Sequence, residues 1–349
     1  MAQEYAFSNY IFAISPHKGW QDKPSVSLDH DWYFVGMSPE LPTPKYSRIE
    51  YDRARSYIEP HFHDTEITQR GVPQEFELPE FDCPKEMLNY WLMAFFQNVT
   101  DGGTDPFSHL FSVPTVLPDF TADAGYMLHF AAKHPTSAKS WLLGNCIVTA
   151  LGIRITHDEA VGNRLTVKPT LLSRLPEPLT APVSWTLQTP AESYWLTNVL
   201  TGEDDDSYFQ VVPDTPELVS LEFNLTNGGY GRGQDSSGRP RQFRCEQFRG
   251  EGNLRLIKDA TSDAYYADIV GTNVARLWAY WQTTIASITA GDLSIDLNGA
   301  QWAEGAAVEE GEVTEQINNF PFKLSRTVAH SMAKITTVDT TATIDSLFT

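Results

Sequence analysis

His61 and His63, in the run EPHFHD, stand two residues apart, the spacing that puts side chains on one face of a strand, with Asp64 and Glu66 close by. Imidazole and carboxylate at that interval are zinc-ligand chemistry, but a tetrahedral site needs four donors, and no third and fourth stand at a recognisable spacing. The expectation is polar residues on an exposed strand face, with no metal and no cofactor. The sequence contains no GxSxG, HExxH, GxxxxGK[ST] or CxxC, and the acidic run GEDDDS at 202–207 lacks the glycine and the distant glutamate of a calcium loop. Carboxylate pairs for glycoside hydrolysis stay open, because Asp and Glu are plentiful and their separation is a property of the fold. Trp20, Trp32, Trp141, Trp185, Trp195 and Trp302 could stack on sugars, although tryptophan more often anchors a core or an interface. The alternative reading is therefore a carbohydrate-active or carbohydrate-binding β-sandwich protein; the leading one is a protein without catalytic activity.

The most basic stretch, GGYGRGQDSSGRPRQFR at 228–244, lies in a chain of formal net charge −20. As a nucleic-acid segment it shares only the composition of an RGG tract, and the acidic remainder weakens any hold on phosphate. As a phosphate cradle it lacks the lysine and the following helix, since a strand comes next. The third use fits better. A long, flexible hairpin carrying Arg232, Arg239, Arg241, Arg244 and Arg249 is complementary to the acidic surface of another copy, and guanidinium forks pair carboxylates bidentately. These five arginines are the candidate subunit-interface residues.

With 349 residues the chain exceeds the usual size of a single core, so two domains are expected. Cys83, Cys146 and Cys245 are far apart and imply neither a disulfide framework nor a zinc site, which fits a reducing compartment. No signal-peptide pattern opens the sequence, and the longest apolar run, YWLMAFF, is too short to span a bilayer. A pI near 4.7 argues against tight nucleic-acid binding and suits a surface that DNA must pass without sticking.

Most of the chain reads as strands. SLEFNLT (220–226), GNLRLI (252–257), DLSIDLN (292–298), EFEL (75–78) and NCIVTALGIRI (145–155) alternate or run β-branched, with 22 prolines and 22 glycines as punctuation. Two segments carry helical spacing. Leu88, Trp91, Leu92 and Phe95 predict a buried helix over 85–98, with Pro84 in its first turn. Val274, Leu277, Trp278, Trp281 and Ile285 predict a second, capped by Thr272 or Asn273. Around each helix the same order recurs: strand, long loop ending Arg-Gly (70–71 and 249–250), short strand, helix, glycine-led strand. The reading is mainly β, two tandem β-sandwich or barrel domains, each flanked by one α-helix. They cover 1–175, with an N-terminal arm and an insertion at 99–140, and 176–349, with the Gly/Arg loop 227–250 and a C-terminal tail; the join is the proline-rich SRLPEPLTAP at 173–182.

The stretch ELVSLEFNLTNGGYGRG, returning through RCEQFRGEGNLRLIKD, resembles the region of tail tube proteins from long-tailed, siphovirus-like phages in which a strand ending in Asn opens a long loop and a glycine-led strand returns. KSWLLGNCIVTALGIRITHDEAVGNRLTVKPTLLS is similar to their glycine-led strand pair, and KGWQDKPSV to their N-terminal arm. The resemblance implies tail-tube-like domains stacked in rings around a channel for genome passage, with the protein itself as chief partner. Two domains per chain imply homotrimeric, pseudo-sixfold rings in preference to hexamers. Tape measure and terminator proteins are the other implied partners, viral DNA passes without specific binding, and the place of the protein is the virion tail after assembly in the host cytoplasm. The insertion 99–140 and the threonine-rich tail TTVDTTATIDSLFT depart from the family pattern.

Overall fold

The structure, a computed structural model, describes residues 11–19, 32–34, 48–52, 65–69, 74–118, 120, 124–133, 141–156, 163–173, 177–178, 187–188, 195–196, 207–234, 240–269, 274–281, 290–303, 305–310, 316–325 and 332–348. It is mainly β. In chain order come β1 (Ile11–Lys18), β2 (Trp32–Phe34), β3 (Arg48–Asp52), β4 (Thr65–Gln69), β5 (Gln74–Glu77), β6 (Phe81–Asp82) and helix α1 (Lys85–Phe96). Then follow β7 (Val99–Gly103), β8 (Phe107–Ser112), β9 (Tyr126–Lys133), β10 (Trp141–Thr156), β11 (Asn163–Ser173), β12 (Glu177–Pro178), β13 (Leu187–Gln188) and β14 (Trp195–Leu196). The last stretch holds β15 (Ser207–Val211), β16 (Leu218–Thr226), β17 (Tyr230–Gln234), β18 (Pro240–Arg244), β19 (Arg249–Ile257), α2 (Ala260–Ile269), β20 (Ala275–Trp281), β21 (Leu293–Trp302), β22 (Ala307–Glu310), β23 (Gln316–Leu324), β24 (Lys334–Asp339) and a 3-10 turn (Ile344–Leu347).

Two long strands organise the sheets by changing partners along their length. Residues 141–146 of β10 pair with β9, which continues through β1 to β2, whereas residues 147–156 pair with β11 and 150–156 with β16. The switch falls at Asn145, a non-glycine residue with φ 52°. Strand β21 does the same: Leu293–Asp296 pair with β24 and Ala300–Trp302 with β23, and Gly299 turns between them at φ 137°. A Cβ there would lie 2.3 Å from the Ser325 carbonyl oxygen, so only glycine fits the bend. The main ladder thus runs β11, β10, β16, β19, β23, β21, joining strands from both halves of the chain.

The segments read as strands from their alternation fall on these elements, with Leu78 and Asp292 one residue outside β5 and β21, and β16 shows why: Leu221, Phe223 and Leu225 are buried while Glu222 and Asn224 are exposed. Helix α1 stands where its spacing predicts. Every side chain from Met87 to Phe96 is buried, because an element apolar on all sides must be covered on all sides. Pro84 is its N-cap, and its C-terminus closes on Gln97 in the left-handed region, whose side-chain amide donates to the carbonyls of Ala94 and Tyr126.

The second predicted helix is corrected. Residues 275–281 are strand β20, with Leu277, Ala279 and Trp281 facing inward, and residues 282–289 lie outside the described residues. The helix of this half is α2, upstream, opened by a reciprocal box in which the Ser262 backbone N–H donates to Asp259 Oδ1 (2.6 Å) and the Asp259 N–H to Ser262 Oγ (2.9 Å). Residues 99–140, read as an insertion, supply β7, β8 and β9 to the sheets, and the threonine-rich tail supplies most of β24, which pairs with β8 on one edge and β21 on the other.

Candidate functional site

The Gly/Arg segment is a built arm. Strands β17 and β18 form a two-stranded antiparallel ribbon, pairing Tyr230 with Arg244, Gly231 with Phe243 and Arg232 with Gln242; among the described pairings neither strand joins the main sheets. Residues 235–239 lie outside the described residues; where it is described, the expected flexible loop is therefore a paired structure. Its root explains why. Asn227 is buried where the chain leaves β16, and its amide donates to the carbonyls of Val148 (2.8 Å) and Phe95 (3.3 Å), while its backbone N–H donates to Thr149 O. Asn227 Oδ1 accepts from the Gly229 N–H, closing an Asx-type turn. A Cβ on Gly229 would sit 2.6 Å from Thr149 Cγ2, so the glycine lets the arm lie close against β10. On the returning strand Phe243 and Cys245 pack with Phe120, Met127, Ile147 and Leu172, and Phe248 stands edge-on to Phe95 at 5.6 Å. Burial pushes the Cys245 thiol up to about 12, so it is an inert packing group at neutral pH.

The candidate arginines divide. Arg232 and Arg241 are exposed on the ribbon, and strand alternation places them on opposite faces, Arg232 beside the exposed Tyr230 and Arg241 on the face of Phe243. Arg244 is half-buried at the root. Arg249 belongs to β19, opposite Thr226, and its guanidinium donates to Gln247 Oε1 at 3.2 Å. Arg239 falls outside the described residues. The arm thus presents cations on both faces, on a body whose overall charge is strongly negative.

A second feature lies on the outer face of the main ladder, a depression of about 220 Å³ floored by Gly152. Glu77, Glu80, Arg154, Lys168 and Glu222 line it. Two of its three carboxylates are engaged: Lys168 pairs with Glu77, Arg154 with Glu80 at 3.9 Å, and Thr166 Oγ1 donates to Glu80. Glu77 and Glu80, occupied in this way, hold the face together.

His61, His63, Asp64, Trp20 and Trp185, together with residues 202–206 of the acidic run, lie outside the described residues. Glu66 is in β4, and Trp32, Trp141 and Trp195 are in β2, β10 and β14. Trp302 packs on Tyr265, Phe320 and Phe322, the role of a core anchor. Two buried histidine sites carry no sequence signal. His17 stacks on His129 at 3.7 Å and its Nε2–H donates to Asn145 Oδ1 (3.0 Å) beside the bend of β10. His109 lies between Asp101 (2.7 Å) and Asp339 (3.0 Å), residues that only the tertiary fold brings together. Compared with known proteins, the chain matches no family model and no curated sequence.

Proposed function

We propose that the chain is a structural subunit that self-associates into stacked rings, the tail tube of a long-tailed virus, in which the β17–β18 arm of one copy docks on the acidic surface of the next. The observation that carries this reading is the arm itself, a rigidly rooted ribbon with exposed Arg232, Arg241 and Tyr230 on a protein of net charge −20. Arginine and tyrosine are the residues that anchor interfaces, and a rooted arm loses little conformational entropy on docking. An acidic channel wall repels phosphate and lets a genome slide, which gives the negative charge a use beyond solubility. Under this reading the two halves are the two tube domains of a trimeric ring, tape measure and terminator proteins are its neighbours, and no chemistry is catalysed.

The test is assembly. Negative-stain microscopy and sedimentation of the wild type across protein and salt concentration are expected to show rings or hollow tubes, weakened at high salt as exposed ion pairs are screened. The variant Arg232→Glu/Arg239→Glu/Arg241→Glu is expected to stay monomeric with an unchanged melting temperature. A wild type that is monomeric throughout, or normal tubes from the triple variant, would sink the arm as an assembly element.

A further inference from the structure

The C-terminal segment carries the last strand in chain order and two of its aspartates, Asp339 and Asp345, stand in ionic contacts. Strand β24 lies between β8, from the first half of the chain, and β21, from the second, so its register Lys334↔Ser112 to Asp339↔Phe107 closes a seam between them. Beyond it the 3-10 turn buries Ile344, and Phe348 at its C-cap packs on α1, edge-on to Tyr90 at 6.0 Å and to Tyr126 at 5.2 Å. Asp345 accepts from Tyr126 Oη (2.7 Å) and Lys18 Nζ (2.5 Å) at the rim.

The clasp beneath is different in kind. His109 is fully buried, its Nδ1 facing Asp101 of β7 and its Nε2 facing Asp339 of β24. Asp339 also accepts from Asn89 Nδ2 (2.6 Å) on α1 and from the Thr341 N–H (2.6 Å), and Thr337 Oγ1 donates to Asn89 Oδ1 (2.6 Å). A neutral imidazole has one N–H, so in that form one of the two carboxylates must face a ring lone pair at hydrogen-bond distance, with no water able to intervene. Only the imidazolium satisfies both.

We infer that residues 334–348 are a pH-gated latch, closed while protonated His109 ties β24 to β7 through two carboxylates and released from β8 when that proton leaves. Burial drives the His109 pKa down, but the hydrogen bonds and charges of Asp339 and Asp101 outweigh it and hold it above the ordinary value of 6.5. With the folded value raised, the contribution is fully present below pH 6.5 and is lost as pH rises through the folded value. Among the described residues, the charged groups that face His109 are those two aspartates, and α1 brings the neutral Asn89. At the rim, Lys18 and Tyr126 are raised above their usual alkaline values and Asp345 is lowered, so that cluster does not titrate near neutrality.

Hydrogen exchange by mass spectrometry on the full chain, from pH 5.5 to 9.5 and normalised to peptides of β16 and β19, reads the latch directly. Protection of residues 334–348 is expected to fall as pH rises above 6.5, by about tenfold for each unit by which folding raises the His109 pKa, while β16 and β19 hold. His109→Gln should leave the segment weakly protected at every pH and erase the step. Asp101→Asn keeps the histidine with one carboxylate and should move the step to lower pH, which serves if the glutamine variant does not fold. A flat profile in the wild type, or a step that stays in place in either variant, overturns the inference.

Discussion

The two helices of this chain are held by opposite means. Helix α1 is enclosed: Trp91, Leu92, Phe95 and Phe96 are all buried, Phe81 stands edge-on to Trp91, and Phe95 meets Phe96 at 5.0 Å. Its stability comes from removing apolar surface from water on every side, about 1.5–3 kcal/mol for each large side chain. Helix α2 lies on the surface with Asp263, Ala264 and Ala267 exposed, and besides Tyr265 against Phe320 and Trp302 and Tyr266 against Phe320 it is secured by polar stitches. Asn318, fully buried on β23, donates to Ser262 Oγ (2.9 Å) and Asp263 Oδ1 (2.8 Å), and accepts from Tyr266 Oη (3.3 Å). An element held by burial is tied to the whole core and opens with it; one held by a few hydrogen bonds can open alone.

The largest effect should come from emptying the enclosure. Trp91→Ala is expected to lower global stability by about 3–5 kcal/mol, read as a shift of the urea midpoint common to all probes. The indole N–H of Trp91 is buried and has no hydrogen-bond partner, so Trp91→Phe, which keeps the ring and removes that orphan donor, should recover much of the loss. Equal destabilisation by the two variants would show that shape, and not apolar burial, sets the stability of α1.

That same contrast decides what could be read from the sequence. Helix α1 was legible because an apolar pattern is written in residue types, and so were β10, β16, β19 and β21. Helix α2 escaped because its partners, Asn318 and Asp214, are polar and distant in the chain. Strand β20 was misread because Leu277 and Trp281 satisfy a helical period and a strand period alike. The alternation was masked by Trp278, an outward residue that lies under the Arg276 guanidinium and donates to Ser294 Oγ. Within the candidate site the arginines and the turn-forming Asn-Gly-Gly were visible, but the root was not: that Asn227 reaches Val148 and Phe95 is a fact of tertiary structure. The His109 clasp joins positions 101, 109 and 339, and no local pattern announces it.

Breaking the polar side of the comparison should give a smaller and more local effect. Asn318→Ala leaves Asp263 and the Ser262 hydroxyl without their shared donor, and a lost hydrogen bond to a charged group costs about 1.5–3 kcal/mol. Exchange protection is expected to fall in residues 260–269 and in the facing part of β23, with that of α1 unchanged. A uniform loss across the molecule would mean that α2 is part of the same cooperative unit as α1.

Smallest of all should be Asp259→Ala. It removes only the carboxylate that accepts from the Ser262 N–H and sits at the positive end of the helix dipole. The cost is about 1 kcal/mol, the usual value of an N-cap, and it should be confined to the first turn of α2. Because Ser262 Oγ also donates to Ile257 O and accepts from Asn318, the serine stays in place when the aspartate goes, so Asp259→Ala and Asn318→Ala act on one residue, the first through its backbone N–H and the second through its hydroxyl. Their double variant is then expected to lose less than the sum of the two, and the shortfall measures how far the cap and the stitch are one network. Strict additivity would separate them, leaving α2 held at two independent points.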